Sequence, residues 1–147
     1  MQGMKRQYEK HIYEYLGYFP CVVLVGARQT GKSTLIDMLG GGREIFDLEI
    51  RADYNQIARD PDLFLRLNSK PIAIDEAQLL PGLFPALRVA IDKDRRAYGK
   101  YLLSGSSSPE LLTSISETLA GRVGIIEIAP FSFSETQTAD NPRLLGL

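Results

Sequence analysis

The chain of 147 residues has very little of what several classes of protein need. Its single cysteine, Cys21, excludes a disulfide within the chain, and the apolar run around it favours a small buried side chain. Its single histidine, His11, has no cluster of cysteine, histidine or carboxylate residues beside it, which argues against a zinc site. No apolar stretch approaches the ~20 residues of a membrane span, and no signal-peptide pattern opens the chain. We therefore expect a cytoplasmic location and no membrane partner.

Charge is abundant but balanced. The 17 basic and 18 acidic residues give a formal net charge of −1 and are interspersed along the chain. A protein that binds duplex DNA usually presents a basic face, so the composition gives no support for a nucleic-acid partner. The length fits one domain, and an apolar content of 44% is ordinary for a globular fold.

Strand and helix patterns alternate along the chain. Short apolar runs predict strands at 21–25, 44–50, 72–74, 101–103 and 125–128. Apolar residues at helical spacing, or a capped start at Asp60-Pro61 and Ser108-Pro109, predict helices at 8–19, from 32, from 60, at 83–97 and from 108. This alternation predicts an α/β fold with a mainly parallel sheet, in one domain over residues 1–135. The polar residues 136–147 are interpreted as a linker or as the truncated start of a further domain.

The segment 26–33 has the sequence GARQTGKS, which matches the pattern G-x-x-x-x-G-K-[ST] between a predicted strand and a predicted helix. Glycine lets the backbone wrap closely enough for several N–H groups to converge on phosphates, and the helix N-terminus adds partial positive charge. Lys32 supplies a point charge for the β- and γ-phosphates, and the Ser33 hydroxyl can ligate Mg²⁺. We therefore predict a phosphate-binding loop that consists of Gly26, Ala27, Arg28, Gln29, Thr30, Gly31, Lys32, Ser33 and Thr34.

An acidic pair, Asp75-Glu76, ends the third predicted strand. The carboxyl end of a parallel strand lies at the edge where α/β sheets bind ligands. Asp75 is placed to hold Mg²⁺ through its waters, and Glu76 to act as the general base that orients a water against the γ-phosphate. A solvated strand end would also explain two acids here, but the phosphate-binding loop upstream favours the functional interpretation.

Two further segments hold candidate catalytic residues. After the fourth predicted strand, the hydroxyl of Ser106 or Ser104 could contact the γ-phosphate or the attacking water, although a loop with a helix cap at Ser108 explains the same serines. Before the fifth predicted strand, Arg122 could stabilise transition-state charge by about 10³–10⁵ in rate if it reaches the γ-phosphate. A lone arginine on a loop is more often solvated or paired, so the sequence leaves both roles open.

Together these segments resemble a family of prokaryotic AAA+-type P-loop ATPases, whose ATPase domain is usually followed by a C-terminal domain of unknown function. The resemblance covers nearly the whole chain. It rests on VGARQTGKST at 25–34, IDEAQ at 74–78, PGLF at 81–84, LSGSS at 103–107, LAGR at 119–122 and PFSFSE at 130–135.

The resemblance implies a RecA-like core with a five-stranded sheet in the order 5-1-4-3-2. It also implies Mg²⁺-dependent ATP hydrolysis through Lys32, Ser33, Asp75 and Glu76, so ATP, ADP and Mg²⁺ are the expected ligands. In AAA+ proteins generally, an arginine placed like Arg122 can reach the nucleotide of a neighbouring subunit, which implies a homo-oligomer. We expect the family's C-terminal domain to be missing from this sequence. Arg28 and Gln78 belong to the family pattern, but the sequence predicts no role for them.

Of three other classes of nucleotide-binding protein, one stays open and two fit the sequence less well. A slow ATP/ADP switch, which needs a partner or a C-terminal domain for turnover, would carry the same motifs as an ATPase. A small-molecule phosphotransferase is disfavoured because Glu76 would serve a water molecule and no arginine-rich lid segment follows the third helix. A GTPase is disfavoured because the closest stretch to Asn-Lys-x-Asp, at 68–71, has the sequence NSKP.

Overall fold

The computed structural model describes residues 2–27, 32–39, 42–129 and 143–146. Its strands are β1 Cys21–Val25, β2 Glu44–Asp47, β3 Ile72–Asp75, β4 Tyr101–Gly105, β5 Val123–Glu127 and β6 Arg143–Gly146. Its helices are α1 Gln2–Leu16, α2 Lys32–Met38, α3 Arg51–Ala58, α4 Pro61–Leu67, α5 Leu83–Lys93 and α6 Pro109–Leu119. A short 3-10 turn, Ala77–Leu79, follows β3. Among these described helices, none combines the length and the apolar character that crossing a bilayer would need.

The strands form one sheet in the order β2-β3-β4-β1-β5-β6. Strands β1 to β5 are parallel, and Cys21 of β1 aligns with Tyr101 of β4 on one side and with Val123 of β5 on the other. The predicted α/β class and the predicted order 5-1-4-3-2 are therefore confirmed. Because the parallel strands point the same way, the ends of β1, β3 and β4 meet at one edge of the sheet, which we call the carboxyl edge.

Strand β6 is an addition that the sequence does not predict. It pairs antiparallel with β5, with Gly124 opposite Gly146. It falls within 136–147, the stretch interpreted from the sequence as a linker or the start of a further domain. The predicted boundary at 135 lies outside the described residues. Within the described ranges the sheet thus has six strands rather than five, and β5 is an inner strand.

Helices cover both faces of the sheet, which explains why β1 is a continuous apolar run. Cys21, Val23 and Val25 belong to the core cluster that includes α4, α5 and α6, whereas Val22 and Leu24 belong to the cluster of α1 and α2. All five are buried, as predicted for Cys21. Burying a Val or Leu side chain contributes about 1.5–3 kcal/mol, so β1 is a firm support for the loop that follows it.

Several predicted boundaries are wrong. α1 spans Gln2–Leu16 rather than 8–19, and β5 spans Val123–Glu127 rather than 125–128. β2 ends at Asp47, and a turn at 48–50 leads into α3, whereas the sequence predicts that the strand continues to residue 50. α3 starts after Ile50 without a side-chain cap and buries only Ile57, so neither a start signal nor an apolar stripe marks it. α5 ends at Lys93 rather than at residue 97, because the backbone leaves the helical conformation at Asp94.

The two predicted helix caps are confirmed. The Asp60 carboxylate accepts the N–H of Leu63 at 3.1 Å, and the Ser108 hydroxyl accepts the N–H of Leu111 at 3.2 Å. A proline follows each cap as the first helical residue, where its missing N–H leaves no intrahelical bond unmade. The cap at Ser108 starts α6 directly after the loop at the end of β4.

Candidate active site

The loop after β1 is described at Gly26 and Ala27 and again from Lys32 onward. The N–H of Gly26 donates to the carbonyl of Gly105 at 3.2 Å, which ties the ends of β1 and β4 together. Lys32 is the first residue of α2 and is only 5% exposed. Its Nζ donates to the carbonyl oxygens of Gly26 at 2.9 Å and Ala27 at 3.0 Å, so the ammonium group lies within the loop. The other predicted loop residues that precede it, Arg28, Gln29, Thr30 and Gly31, lie outside the described residues.

The next residue of α2 contacts the end of β3. Ser33 Oγ donates to Asp75 Oδ2 at 2.5 Å. Because the hydroxyl proton is directed at the carboxylate, the lone pairs of Ser33 Oγ remain available to another ligand. Ser33 and the following Thr34 are exposed, whereas Asp75 is 6% exposed. The pair therefore combines a fixed carboxylate with an accessible hydroxyl.

Strand β4 holds Asp75 in place. Ser104 Oγ donates to Asp75 Oδ1, and the N–H of Glu76 donates to the same oxygen at 3.0 Å. Ser104 is fully buried in β4. A buried polar group without a partner would cost about 1–3 kcal/mol, so these bonds fix the orientation of the carboxylate. Of the two candidate serines, Ser104 is therefore the buried hydrogen-bond partner of Asp75.

Glu76 leaves β3 in a strained backbone conformation. Its φ of 59° and ψ of 46° lie in the left-handed region, and no other non-glycine residue in the described ranges has a positive φ. This region costs a residue with a side chain about 1–2 kcal/mol. The N–H of Glu76 is held by Asp75 and lies 3.4 Å from Ser104 Oγ. Strain of this kind, next to a fixed carboxylate, is typical of functional sites.

Ser106 lies one residue beyond β4 on the carboxyl edge, as predicted. It is half-buried, and its N–H donates to Gln78 Oε1 at 3.3 Å. Gln78 is a residue of this edge for which the sequence predicts no role. The only signal that marks it is its place in the IDEAQ segment, because a single glutamine near an acidic pair carries no chemistry of its own.

Arg122 lies far from the other predicted site residues. It directly precedes β5, whose first residue aligns with Cys21 at the start of β1, whereas Gly26 follows the end of β1. A strand of this length spans ~16 Å, so Arg122 and the loop lie at opposite edges of the sheet. Its Nε and Nη2 donate to the Asp92 carboxylate at 2.7 and 3.1 Å, and its Nη1 donates to the Ala120 carbonyl at 2.9 Å.

The set of potential ligand side chains also limits how a metal ion could be bound. Within the described ranges, no three histidine, cysteine or acidic side chains gather in a way that would bind a metal on their own. Mg²⁺ usually takes one or two protein oxygens and completes its shell with waters and substrate phosphates. The adjacent oxygens of Ser33 and Asp75 fit that pattern, because both are hard ligands on one side of the loop.

The sheet order and the chemistry of its carboxyl edge define a P-loop nucleotide-binding domain. The ammonium group of Lys32, the first residue of α2, lies within the loop after β1. Asp75 at the end of β3 contacts the same helix, and β4 lies between β3 and β1 in the sheet. The family model described as AAA domain matches residues 18–137, so the chain belongs to this family of ATPase domains.

Several known proteins are similar to the chain. The uncharacterized proteins Rv2008c of Mycobacterium tuberculosis and Mb2031c of Mycobacterium bovis are each 40% identical to it over 127 residues, or 85% of this chain. The chain spans 28% of the length of these curated relatives. Among solved structures, the Walker-type ATPase PABY2304 of Pyrococcus abyssi matches with a TM-score of 0.58 at 17% identity, over 93% of this chain and 55% of that one. That likeness supports the fold.

Proposed function

We propose that this domain binds Mg²⁺-ATP and hydrolyses it to ADP and phosphate, with Glu76 as the general base. The observation that carries the proposal is the contact between Ser33 and Asp75. It joins the start of α2 to the end of β3, immediately beside Glu76. A phosphate-binding helix, a metal-binding oxygen pair and a candidate base thereby share one edge of the sheet.

Nucleotide binding would use the whole loop. Lys32 would exchange the carbonyl oxygens of Gly26 and Ala27 for phosphate oxygens, with which an ammonium group forms stronger, charge-assisted hydrogen bonds. The backbone N–H groups of the loop and the N-terminus of α2 would surround the remaining phosphate oxygens. The residues assigned to this role are Gly26, Ala27, Arg28, Gln29, Thr30, Gly31, Lys32, Ser33 and Thr34.

Ser33 and Asp75 would hold the metal ion. The hydroxyl of Ser33 would be a direct ligand, and Asp75 would act through bound water, since it already accepts the Ser33 proton. When bound, Mg²⁺ would neutralise charge on the β- and γ-phosphate oxygens. Ser104 would keep Asp75 in the orientation that this arrangement needs.

Hydrolysis would use Glu76 and the loop after β4. A water oxygen forms a bond to the γ-phosphorus, the bond from phosphorus to the bridging oxygen breaks, and Glu76 accepts the water proton. ADP and inorganic phosphate are the products. Ser106 would contact the γ-phosphate or the attacking water from the end of β4.

The test is phosphate release from Mg²⁺-ATP at several protein concentrations, with binding measured by calorimetry. Glu76→Gln should bind the nucleotide normally and lose at least about 100-fold in turnover, because general-base catalysis contributes that much. Glu117→Gln, at an exposed position on α6, is the matched control and should behave as the wild type. Normal turnover by Glu76→Gln would remove Glu76 as the base.

A slow ATP/ADP switch is the second candidate, and the position of Arg122 favours it for an isolated copy. That arginine is at the far edge of the sheet and is paired with Asp92, so it does not complete the site of its own subunit. Turnover that rises faster than linearly with protein concentration would indicate a site completed between subunits. Binding without turnover would favour the switch.

A further inference from the structure

Gln78 bridges two parts of the carboxyl edge that are far apart in sequence. Its Nε2 donates to Glu76 Oε2 at 2.6 Å, and its Oε1 accepts the N–H of Ser106 at 3.3 Å. One amide group therefore connects the acidic end of β3 to the loop after β4. Within the described residues, no other side chain forms a hydrogen bond to the Glu76 carboxylate.

The packing around Gly105 keeps the amide in this position. A Cβ atom at Gly105 would lie 2.7 Å from Gln78 Oε1 and 2.7 Å from Leu111 Cδ2, so only glycine lets the amide approach β4 this closely. The amide also has one favourable orientation. If its oxygen and nitrogen were exchanged, the oxygen would face the Glu76 carboxylate and the nitrogen would face the Ser106 N–H.

We propose that Gln78 is the positioning residue for the Glu76 carboxylate and couples it to the loop that carries Ser106. The inference rests on the proposed function, in which Glu76 is the base. The amide occupies Glu76 Oε2 and leaves Oε1 to accept the proton of the attacking water. A carboxylate on a flexible side chain would otherwise sample several rotamers, and few of them would suit proton transfer.

The bridge also gives the site a way to respond to the γ-phosphate. The loop after β4 is where Ser106 is expected to meet the γ-phosphate or the attacking water. A movement of this loop displaces the N–H of Ser106, the Gln78 amide and then the Glu76 carboxylate. Base orientation therefore depends on whether the loop is engaged.

Gln78→Met tests the bridge, because methionine is similar in length and lacks both hydrogen-bonding groups. We expect kcat to fall roughly 10–100-fold, while KM and the calorimetric affinity for Mg²⁺-ATP stay within about threefold. The double variant, Gln78→Met with Glu76→Gln, should lose no more activity than Glu76→Gln alone, because Gln78 acts through the Glu76 carboxylate. Gln56→Met, on the exposed face of α3, is the matched control and should leave kcat unchanged.

Gln78→Glu is a second, independent variant. It keeps an acceptor for the Ser106 N–H but places a carboxylate against that of Glu76. We expect a loss of kcat at neutral pH that diminishes as the pH falls, because a proton shared between the two carboxyl groups restores a donor. A role limited to packing would give no such change in the pH profile.

The outcomes separate this inference from the proposed function. Wild-type turnover that requires Glu76 but is unaltered in Gln78→Met, or losses that multiply in the double variant, would overturn the role of Gln78 alone. So would a Gln78→Glu variant with the wild-type rate and pH profile. A wild type without Glu76-dependent turnover would overturn both the proposed function and the role of Gln78.

Discussion

The two edges of the sheet hold polar residues in opposite ways. At the carboxyl edge, Ser33, Asp75 and Ser104 come from three elements and are joined by hydrogen bonds around a carboxylate that is 6% exposed. At the opposite edge, where the parallel strands begin and which we call the amino edge, Arg122 forms an ion pair with Asp92. The Asp92 side chain is 36% exposed and also contacts Arg95.

The difference concerns how easily each group can change partners. The buried Asp75 carboxylate would be costly to leave without its hydrogen bonds, so its partners hold it in one orientation. Arg122 is 16% exposed and its partner Asp92 is 36% exposed, so a phosphate group that replaced Asp92 would exchange one charge-assisted partner for another. The carboxyl edge thus holds a fixed, buried carboxylate, and the amino edge holds an arginine whose carboxylate partner is partly exposed.

The largest expected effect is that of Arg122→Ala, because this variant removes the arginine that is proposed to complete the active site of a neighbouring subunit. In a self-associated sample we expect turnover to fall about 1,000-fold, in line with the rate that a transition-state arginine supplies. In a monomeric sample we expect no change. The measurement is phosphate release with the oligomeric state determined in parallel, and Arg88→Ala, at an exposed position of α5, is the control. An equal loss in a strictly monomeric sample would show that Arg122 acts within its own subunit.

Lys32→Ala should weaken binding at the carboxyl edge. We expect the affinity for Mg²⁺-ATP to fall roughly 10–100-fold, because charge-assisted hydrogen bonds to the phosphates are lost. Calorimetric titration measures this loss directly, and Lys70→Ala, at an exposed loop position, should bind as the wild type does. An unchanged affinity in Lys32→Ala would contradict the assignment of the loop.

Ser104→Ala should show that the carboxyl edge is also a stabilising network. Loss of a buried hydrogen bond to Asp75 should cost about 1–2 kcal/mol, which lowers the melting temperature of a domain this size by about 2–8 °C. Ser107→Ala, on the exposed part of the same loop, is the comparison variant for thermal unfolding. If the two variants melt alike, Ser104 does not hold Asp75.

The smallest effect is expected for Asp92→Asn at the amino edge. The hydrogen bond from Arg122, aided by the charges of Arg122 and Arg95, lowers the pKa of Asp92 below its ordinary value of 3.8. A lowered pKa in the folded state stabilises the protein above pH 3.8. That stabilisation is lost as the pH falls through the lowered value.

Thermal unfolding across pH measures this contribution. The wild type and Asp92→Asn should differ by no more than about 2 °C at neutral pH, and the difference should vanish in acid. High salt at neutral pH should reduce it as well, because exposed charges are screened. A difference that grows on acidification would contradict this account of the pair.

Structural features that are encoded by residues close together in the sequence could be predicted. The apolar run of β1, the loop pattern up to Ser33 and the caps at Asp60 and Ser108 are local signals, and the structure bears out the strand and both caps. The sheet order followed from the resemblance rather than from these signals. Helix α3 escaped prediction because it has no side-chain cap and one buried residue.

The sequence by itself determined which residues are proposed to carry the chemistry, namely the lysine of the loop and the acidic pair at the end of β3. Only the tertiary structure decided their partners. Ser33 and Asp75 are 42 residues apart, and Ser104 and Asp75 are 29 apart. Contacts at such separations depend on which strands are neighbours in the sheet, and residue spacing does not encode that order. The same holds for the bridge formed by Gln78, and for Arg122, which the sheet carries to the edge opposite the loop.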